Sequence, residues 1–270
     1  MKANISQLNL YMECPRKWYF KYVLKKGIES SSQALLDGLD WHDLMESNPS
    51  SDLSIREGDP LWMKAGYDSW LAWKEQAKRD GFEFLGKEIE LEAPLGPHTL
   101  FGRLDALVKW NGLLWHLQHK TVAPTKPIST YQRYVAKSWH EHGYQHLIEN
   151  ASKDGEKFAT SPYGGCLLVI CRKLADKTMK GYSDAGLSNL VVSYLSLPDH
   201  IRTMRDIEDV VGRMEYLDLR NTTFPPGNPN MCAGFYGNSL CQYIDVCDGH
   251  GSIEDFPSID PLKGYKHETR

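Results

Sequence analysis

The sequence lacks any long hydrophobic run. None of its apolar stretches approaches the ~18–20 residues that a membrane-spanning helix requires. Its first twenty residues, MKANISQLNLYMECPRKWYF, contain no apolar segment of the kind found in secretory signal peptides. We therefore expect an intracellular, cytoplasmic protein that has no membrane partner.

The sequence also lacks an excess of positive charge. Its 31 Lys and Arg residues are outnumbered by 35 Asp and Glu, so the formal net charge is −4. A negative chain has no general attraction to nucleic acid, which argues against a protein that coats DNA. An enzyme that contacts phosphate locally is not excluded. The 270 residues, of which 41% are hydrophobic and 24% charged, suffice for a substantial globular core.

Helical and strand patterns alternate along the chain. Strands are expected at residues 84–92 and 99–121, with Asn111-Gly112 as the type I′ turn of a hairpin, and in GGCLLVIC and LVVSYLSL. Helices are expected after Ser6 as N-cap with a break at Pro15, then in residues 31–47, 60–80, 128–152 and 199–219. This order predicts an α/β fold with a central mixed β-sheet flanked by helices. We expect a single domain over residues 1–250 and a polar tail at residues 251–270.

The strand after the predicted turn carries an unusual polar face. His116, Gln118 and Lys120 are spaced by two residues in a strand that otherwise consists of Leu and Trp. Side chains alternate along a strand, so these three share one face. The face is either solvent-exposed surface or part of an active site.

Three cysteines lie in a late segment that is rich in Pro, Gly and Asn. Cys232, Cys241 and Cys247 have the spacing C-x8-C-x5-C, which suggests metal ligation. Cys14, near the other terminus, can supply a fourth thiolate and would join the two ends of the chain. Four thiolates suit either an iron–sulfur cluster or zinc. Reduced surface thiols are the remaining alternative.

A basic segment near the N-terminus is interleaved with aromatic residues. Arg16, Lys17 and Lys21 could bind phosphates while neighbouring rings stack on unpaired bases. Alternatively, Trp18 and Tyr19 pack in the core and the lysines are solvated.

The order of these motifs resembles the RecB-like branch of the PD-(D/E)XK nucleases, and most closely its phage and CRISPR-associated members with a four-cysteine [4Fe–4S] cluster. The resemblance covers residues 5–248. It rests on SQLNLYMECPRKWYFKY, on GLDWHDLMES with His42, on GRLDALV with Asp105, on LLWHLQHKT with Gln118 and Lys120, on Tyr144-Gln145, and on NPNMCAGFYGNSLCQYIDVC.

The resemblance implies a restriction-endonuclease-like core and a set of site residues. Mg²⁺ or Mn²⁺ would be held by His42, Asp105, Gln118 and the main-chain carbonyl of His119. Lys120 would position the attacking water, and Gln145 would orient the water or the phosphate; with Asp105 and Gln118 they form the catalytic set. The [4Fe–4S] cluster, or zinc in its place, would be bound by Cys14, Cys232, Cys241 and Cys247, within a cysteine-cluster region made of residues 1–30 and 225–250.

Two residues depart from the family pattern. Gln118 replaces the usual acid, and Glu149 replaces a tyrosine four residues after Gln145. Because hard cations prefer carboxylates, the loss of one negative charge at Gln118 should weaken metal binding.

The resemblance implies a metal-dependent DNA exonuclease that acts on single strands or DNA ends in recombination or repair. Its partners would be DNA and a recombination or repair protein, in the host cytoplasm if the protein is phage-encoded. A catalytically silent DNA-binding or partner-binding relative and a zinc-stapled protein without a nucleic-acid function are the alternatives.

Overall fold

The computed structural model describes residues 1–27, 33–46, 59–125, 127–153, 156–157, 161–185, 187–198, 200–220, 227–228 and 241–261. Cys232 lies outside these ranges, as do residues 262–270 of the predicted tail.

Nine α-helices fall within the described part of the chain. They are α1 (Ile5–Glu13), α2 (Pro15–Trp18), α3 (Gln33–Glu46), α4 (Leu61–Arg79), α5 (Ile128–Ala136), α6 (Trp139–Asn150), α7 (Asp176–Asp184), α8 (His200–Arg220) and α9 (Ile244–Cys247). None of the described helices combines the length and the apolar character needed to cross a membrane.

The described strands form one large sheet and one small hairpin. They are β1 (Lys2–Asn4), β2 (Glu83–Leu95), β3 (His98–Trp110), β4 (Leu113–Val122), β5 (Ser152–Lys153), β6 (Glu156–Lys157), β7 (Tyr163–Arg172) and β8 (Leu190–Leu195). The large sheet has the order β1-β3-β4-β7-β8, with β2 also paired to β3, and β5 pairs with β6. The β1–β3 and β4–β7 pairs are parallel, whereas β3–β4 and β7–β8 are antiparallel. The predicted mixed sheet is therefore confirmed.

The predicted hairpin turn is confirmed at Asn111 and Gly112. Their φ angles are 50° and 77°, and a type I′ turn requires positive values at both central residues. The turn sets the register of β3 on β4, in which Ala106 pairs with Leu117.

The N-terminal helical segment is interrupted before Pro15, as the sequence predicted. α1 ends at Glu13, and Pro15 is the first residue of α2, a position where its missing N–H costs nothing. A π-helix, Tyr19–Val23, follows. The expected N-cap was wrong by two residues, because Asn4 Oδ1 accepts a hydrogen bond from the Ser6 N–H at 2.7 Å.

Two helix predictions needed correction. The helix expected over residues 128–152 is divided into α5 and α6, because Ser138 caps α6 by accepting a hydrogen bond from the Glu141 N–H. α7 was not predicted. Its single buried side chain, Met179, gives too little apolar periodicity to stand out in the sequence.

The chain divides into two compact units. The first comprises Met1–Ser30, Glu92–Gly102 and Ile201–Arg270, and the second comprises Ser31–Leu91 and Arg103–His200.

In the second unit, helices cover both faces of the sheet. On one face, residues of α3 and α4 pack on β4 and β7, and this core includes Trp41, Trp70, Leu117, Leu167 and Val169. The opposite face carries a smaller core of α5, β4 and β7 residues, namely Val122, Val135, Cys166, Leu168 and Ile170. Because β7 is covered on both faces, it consists of an almost unbroken apolar run.

In the first unit, residues distant in sequence are joined by specific contacts. The N-terminal ammonium lies 2.6 Å from Glu215 Oε1. Tyr243 donates a hydrogen bond to the Lys26 carbonyl at 2.5 Å, and Lys26 forms a β-bridge with Ser258. The described residues that follow position 251 therefore pack against the N-terminal segment, although their composition is polar.

At Gly66, helix α4 packs closely against the sheet and α3. A Cβ atom at Gly66 would lie 2.6 Å from Cys171 Sγ and 3.1 Å from the Trp41 ring, whereas one at Gly38 on α3 would meet nothing within 4 Å. We expect Gly66→Ala to lower the free energy of unfolding by about 1–3 kcal/mol through overpacking. Gly38→Ala, the matched control, should raise it by about 0.5–1 kcal/mol, because alanine is the better helix former. Urea unfolding curves measure both, and equal stabilisation by the two variants would contradict the packing described.

Candidate active site

The carboxylate of Asp105 is held against the neighbouring strand of the hairpin. Asp105 lies one residue before the Ala106–Leu117 pair, so the same register puts it across from Gln118. Its Oδ2 accepts a hydrogen bond from the main-chain N–H of His119 at 2.9 Å. The side chain remains 16% exposed, so the carboxylate can be reached from solvent.

His42 approaches the same carboxylate from α3. Its Nδ1 lies 3.7 Å from Asp105 Oδ2, and its ring meets the His119 ring edge-on at 6.2 Å. The structure thus brings together His42, Asp105 and the main chain of His119, which the resemblance predicted to share a metal ion.

The side chain of Gln118 is buried without satisfying its polar atoms. Neither Oε1 nor Nε2 has a hydrogen-bond partner among the described residues. A buried amide left unpaired costs roughly 1–3 kcal/mol, so such a group calls for an explanation. An unpaired amide oxygen beside a carboxylate is a donor set that a hard divalent cation accepts, and the residues present therefore fit a Mg²⁺ or Mn²⁺ site.

Lys120 lies on the same strand face as Gln118 and is half-buried. The pairing register and the alternation of side chains place Asp105, Gln118 and Lys120 at the end of the hairpin away from its turn. On β7, burial raises the pKa of the Cys166 thiol, Glu141 raises it further, Lys120 lowers it, and Asp105 raises it.

The ring of His119 lies on the opposite face of β4. It is buried, with its edge against Trp70 at a centroid distance of 5.6 Å. Burial lowers the pKa of His119 well below its usual value, and the nearby His42 and three lysines add to this effect. The ring is consequently neutral at physiological pH and adds no positive charge beside the carboxylate.

Gln145, the predicted helical site residue, makes its described contact elsewhere. Its Nε2 donates to Glu149 Oε1 at 2.9 Å, and its Oε1 is buried without a partner among the described residues. No hydrogen bond or ion pair in the described part of the chain joins it to Asp105, Gln118 or Lys120. Its catalytic role stays a prediction.

Helix α6 is fastened to β3 close to Asp105. The Tyr144 hydroxyl donates to the Arg103 carbonyl at 2.7 Å, and the Arg103 Nε pairs with Glu88 Oε2 at 2.6 Å.

His116 belongs to a buried polar network that the sequence did not reveal. Its Nε2 lies 2.5 Å from Glu141 Oε2, and its Nδ1 lies 2.6 Å from the Tyr163 hydroxyl. His140 contacts the other Glu141 oxygen at 3.2 Å. One ligand atom each from His116, Glu141 and Cys166 lie within 4.8 Å of one another, so the group could hold a metal ion. Both nitrogens of His116 are already hydrogen-bonded, however, which favours a structural network that ties α6 to β4 and β7.

Three of the four predicted cluster cysteines lie near one another in the first unit. Burial raises the pKa of the Cys247 thiol, a hydrogen bond from Arg16 lowers it, and the nearby Cys241 and Cys14 raise it. All three cysteines are free thiols. Cys232 lies outside the described residues, so the four-cysteine group stays a prediction.

The basic residues near the N-terminus have different surroundings. Arg16 is directed to Cys247, and Lys17 Nζ lies 3.8 Å from Glu13 Oε2. Lys21 lies 5.6 Å from the centre of the Tyr22 ring, and partial burial lowers its pKa, with a smaller contribution from Lys17. Their binding of nucleic acid stays a prediction.

Comparison with known proteins finds a matching family model and similar solved structures. Residues 2–248 match the family model of the PD-(D/E)XK nuclease superfamily. Among curated proteins none matches the chain. A crystal structure of a candidate exonuclease from Eubacterium rectale is similar to this chain, with a TM-score of 0.51 at 12% identity, and the match covers 92% of each chain. At that identity the likeness concerns the fold. The structure of SSO0001 matches with a TM-score of 0.32 at 12% identity, over 83% of this chain and 78% of that one, which is too weak to carry an argument.

Glu141 should make stability sensitive to acid. Burial alone would raise its pKa, but hydrogen bonds from His116 and His140 outweigh burial and hold the pKa well below its usual range. Since the folded-state pKa is depressed, the carboxylate contributes stability above about pH 4.5, and this stability is lost as the pH falls further.

We expect Glu141→Gln to destabilise the protein by about 3 kcal/mol at neutral pH, because it removes a buried carboxylate that accepts hydrogen bonds from His116 and His140. The variant should also lose less stability than wild type between pH 5 and pH 3. Glu75→Gln, which breaks an exposed pair with Lys78, is the control and should change little. Chemical unfolding across this pH range measures both effects, and parallel wild-type and Glu141→Gln profiles would refute the role of the network.

Proposed function

Because the chain belongs to the PD-(D/E)XK nuclease superfamily, we propose that it is a metal-dependent DNA nuclease that acts as an exonuclease on single strands or DNA ends. Such an enzyme hydrolyses phosphodiesters, and recombination or repair is the process it would serve. The observation that carries the proposal is the convergence of His42, Asp105 and the His119 main chain beside the unpaired amide of Gln118.

Each of these residues would have a defined task. The side chains of His42, Asp105 and Gln118, with the His119 carbonyl, would hold Mg²⁺ or Mn²⁺. When bound, the cation polarises the scissile phosphate and lowers the pKa of the attacking water. Lys120 would position that water and stabilise the negative charge that develops on the phosphate.

The presence of Gln118 in place of an acid favours one alternative function. In that alternative, the protein is a relative of these nucleases that binds DNA or a partner without cutting DNA. An amide oxygen can coordinate a hard cation but brings no charge, so metal affinity should be lower than with a carboxylate. Gln118→Glu separates the two functions. A silent protein could gain cleavage, whereas an active enzyme should change only modestly and require less metal.

The proposed site predicts the effect of two further substitutions. Asp105→Asn and Lys120→Ala should each reduce DNA cleavage at least about 100-fold, because each removes a charge from the reacting centre. End-labelled single- and double-stranded DNA with Mg²⁺ or Mn²⁺ is the assay. Lys109→Ala, on the exposed side of β3, is the control and should retain activity. Undiminished cleavage by both site variants would refute the assignment.

We also propose that Cys14, Cys232, Cys241 and Cys247 bind a [4Fe–4S] cluster, which would join residues 1–30 to residues 225–250. The proximity of Cys14, Cys241 and Cys247 supports this, and zinc is the alternative occupant. Thiolates are required for either occupant, so the raised thiol pKa of Cys247 should fall on binding.

Anaerobically purified protein should contain about four iron and four sulfide equivalents and absorb visible light. Cys247→Ser should lose both the iron and the colour, whereas Cys171→Ser, a buried core cysteine, should retain them. One equivalent of zinc in place of iron would decide for the alternative, and neither metal would refute the site.

A further inference from the structure

The pairing between β3 and β4 ends just before the proposed site. Its last pair is Ala106–Leu117, whereas β4 stays paired with β7 to the end of both strands. Beyond that last pair, the His119 N–H donates to the Asp105 carboxylate instead of to the main chain of β3. Asp105 and Gln118, the proposed metal ligands, therefore lie where main-chain pairing no longer sets the separation of β3 from β4.

Helix α6 is bonded to both strands, on either side of the point where their pairing ends. On β4, His116 Nε2 lies 2.5 Å from Glu141 Oε2, and His116 pairs with Leu107 of β3. On β3, the Arg103 carbonyl accepts a hydrogen bond from the Tyr144 hydroxyl at 2.7 Å. Leu107 lies one position before the last pair, on the side of the turn, and Arg103 lies three positions beyond it. A single turn of α6 therefore spans the place where the two strands separate.

The ring of Tyr144 is held by contacts that do not depend on its hydroxyl. The residue is 5% exposed, and its ring centre lies 5.6 Å from that of His116 and 4.5 Å from that of His140. A phenylalanine at this position would keep the ring packing and lose the hydrogen bond to the Arg103 carbonyl. The contribution of the hydroxyl can therefore be measured separately from that of the ring.

We propose that the Tyr144 hydroxyl is a positioning group for the metal site, which fixes the distance between the Asp105 carboxylate and the Gln118 amide. It does so by holding β3 to α6, while the contact of Glu141 with His116 holds the same helix to β4. The proposal rests on the proposed function, since it takes Asp105 and Gln118 to be ligands of one cation. Mg²⁺ requires oxygen ligands at about 2.0–2.1 Å in near-ideal geometry, so a small change in the separation of the strands lowers its affinity.

The experiment compares Tyr144→Phe with wild type in the absence of DNA. Binding of Mn²⁺, followed by the electron paramagnetic resonance of the free ion, should weaken about 10-fold, a loss typical of groups that orient metal ligands. In metal-free protein, the main-chain N–H of His119 should exchange its hydrogen faster in the variant, because the strand that carries its acceptor Asp105 is held less firmly. A hydroxyl that only stabilised the fold would shift the unfolding midpoint without weakening Mn²⁺ binding.

Cleavage of end-labelled DNA supplies a second measurement. At limiting Mn²⁺, kcat of Tyr144→Phe should fall about 10-fold while KM for DNA changes by less than about 2-fold, because the hydroxyl acts on the metal site and not on the DNA. Excess Mn²⁺ should restore most of the rate.

Two further variants complete the test. Tyr194→Phe also removes one hydrogen-bonded hydroxyl, in this case from the edge strand β8, where the partner is Trp73, and it should leave Mn²⁺ binding and His119 exchange unchanged. His116→Asn removes the ring that contacts Glu141, so it releases α6 from β4 and should weaken Mn²⁺ binding as Tyr144→Phe does. Urea unfolding shows which variants are folded, and His116→Asn decides the question if Tyr144→Phe is not.

The outcomes separate this proposal from the nuclease assignment. Wild-type Mn²⁺ affinity in a folded Tyr144→Phe would overturn the positioning role, and so would an equal loss in Tyr194→Phe. If Tyr144→Phe weakens Mn²⁺ binding but wild type does not cut DNA, the positioning role stands and the nuclease function falls. If wild type cuts DNA and Tyr144→Phe binds Mn²⁺ and cuts equally well, the nuclease function stands and the positioning role falls.

Discussion

The hydrogen bond from the His119 main chain to Asp105 is the contact on which the candidate site depends. It fixes the carboxylate of one strand against the backbone of the next, where His42 approaches from α3. The bond can form only in the register set by the Asn111-Gly112 turn, because a one-residue slip would turn Gln118 and Lys120 to the opposite face. A local turn thus determines which side chains lie beside the Asp105 carboxylate.

The parts of this arrangement that depend on local chemistry could be predicted from the sequence. The Asn-Gly pair, which readily adopts positive φ, predicted the hairpin turn. Pro15, which has no N–H to donate, predicted the start of α2. The spacing of two residues predicted that Gln118 and Lys120 share one face of their strand. The division at Ser138 was missed because a serine cap was hidden in a pattern that reads as one helix. The turn, the proline effect, the strand alternation and the serine cap each depend on residues no more than four positions apart.

The parts that depend on distant partners could not be predicted. A buried histidine within an apolar strand requires a partner, but nothing near His116 in the sequence indicated Glu141 or Tyr163. Likewise, the basic residues near the N-terminus looked suited to nucleic acid, yet Arg16 is directed to Cys247.

The division of the chain also constrains how folding proceeds during synthesis. The second unit is complete once residue 200 has emerged from the ribosome, and its β3–β4 hairpin is local. The first unit combines Met1–Ser30 with Glu92–Gly102 and with residues beyond Ile201, and its N-terminal ammonium binds Glu215. Such contacts carry a large loop-closure entropy and form slowly. The N-terminal segment can therefore pair early through β1 and β3, whereas its contacts with Glu215 and with residues 241–261 must wait for about the last quarter of the chain.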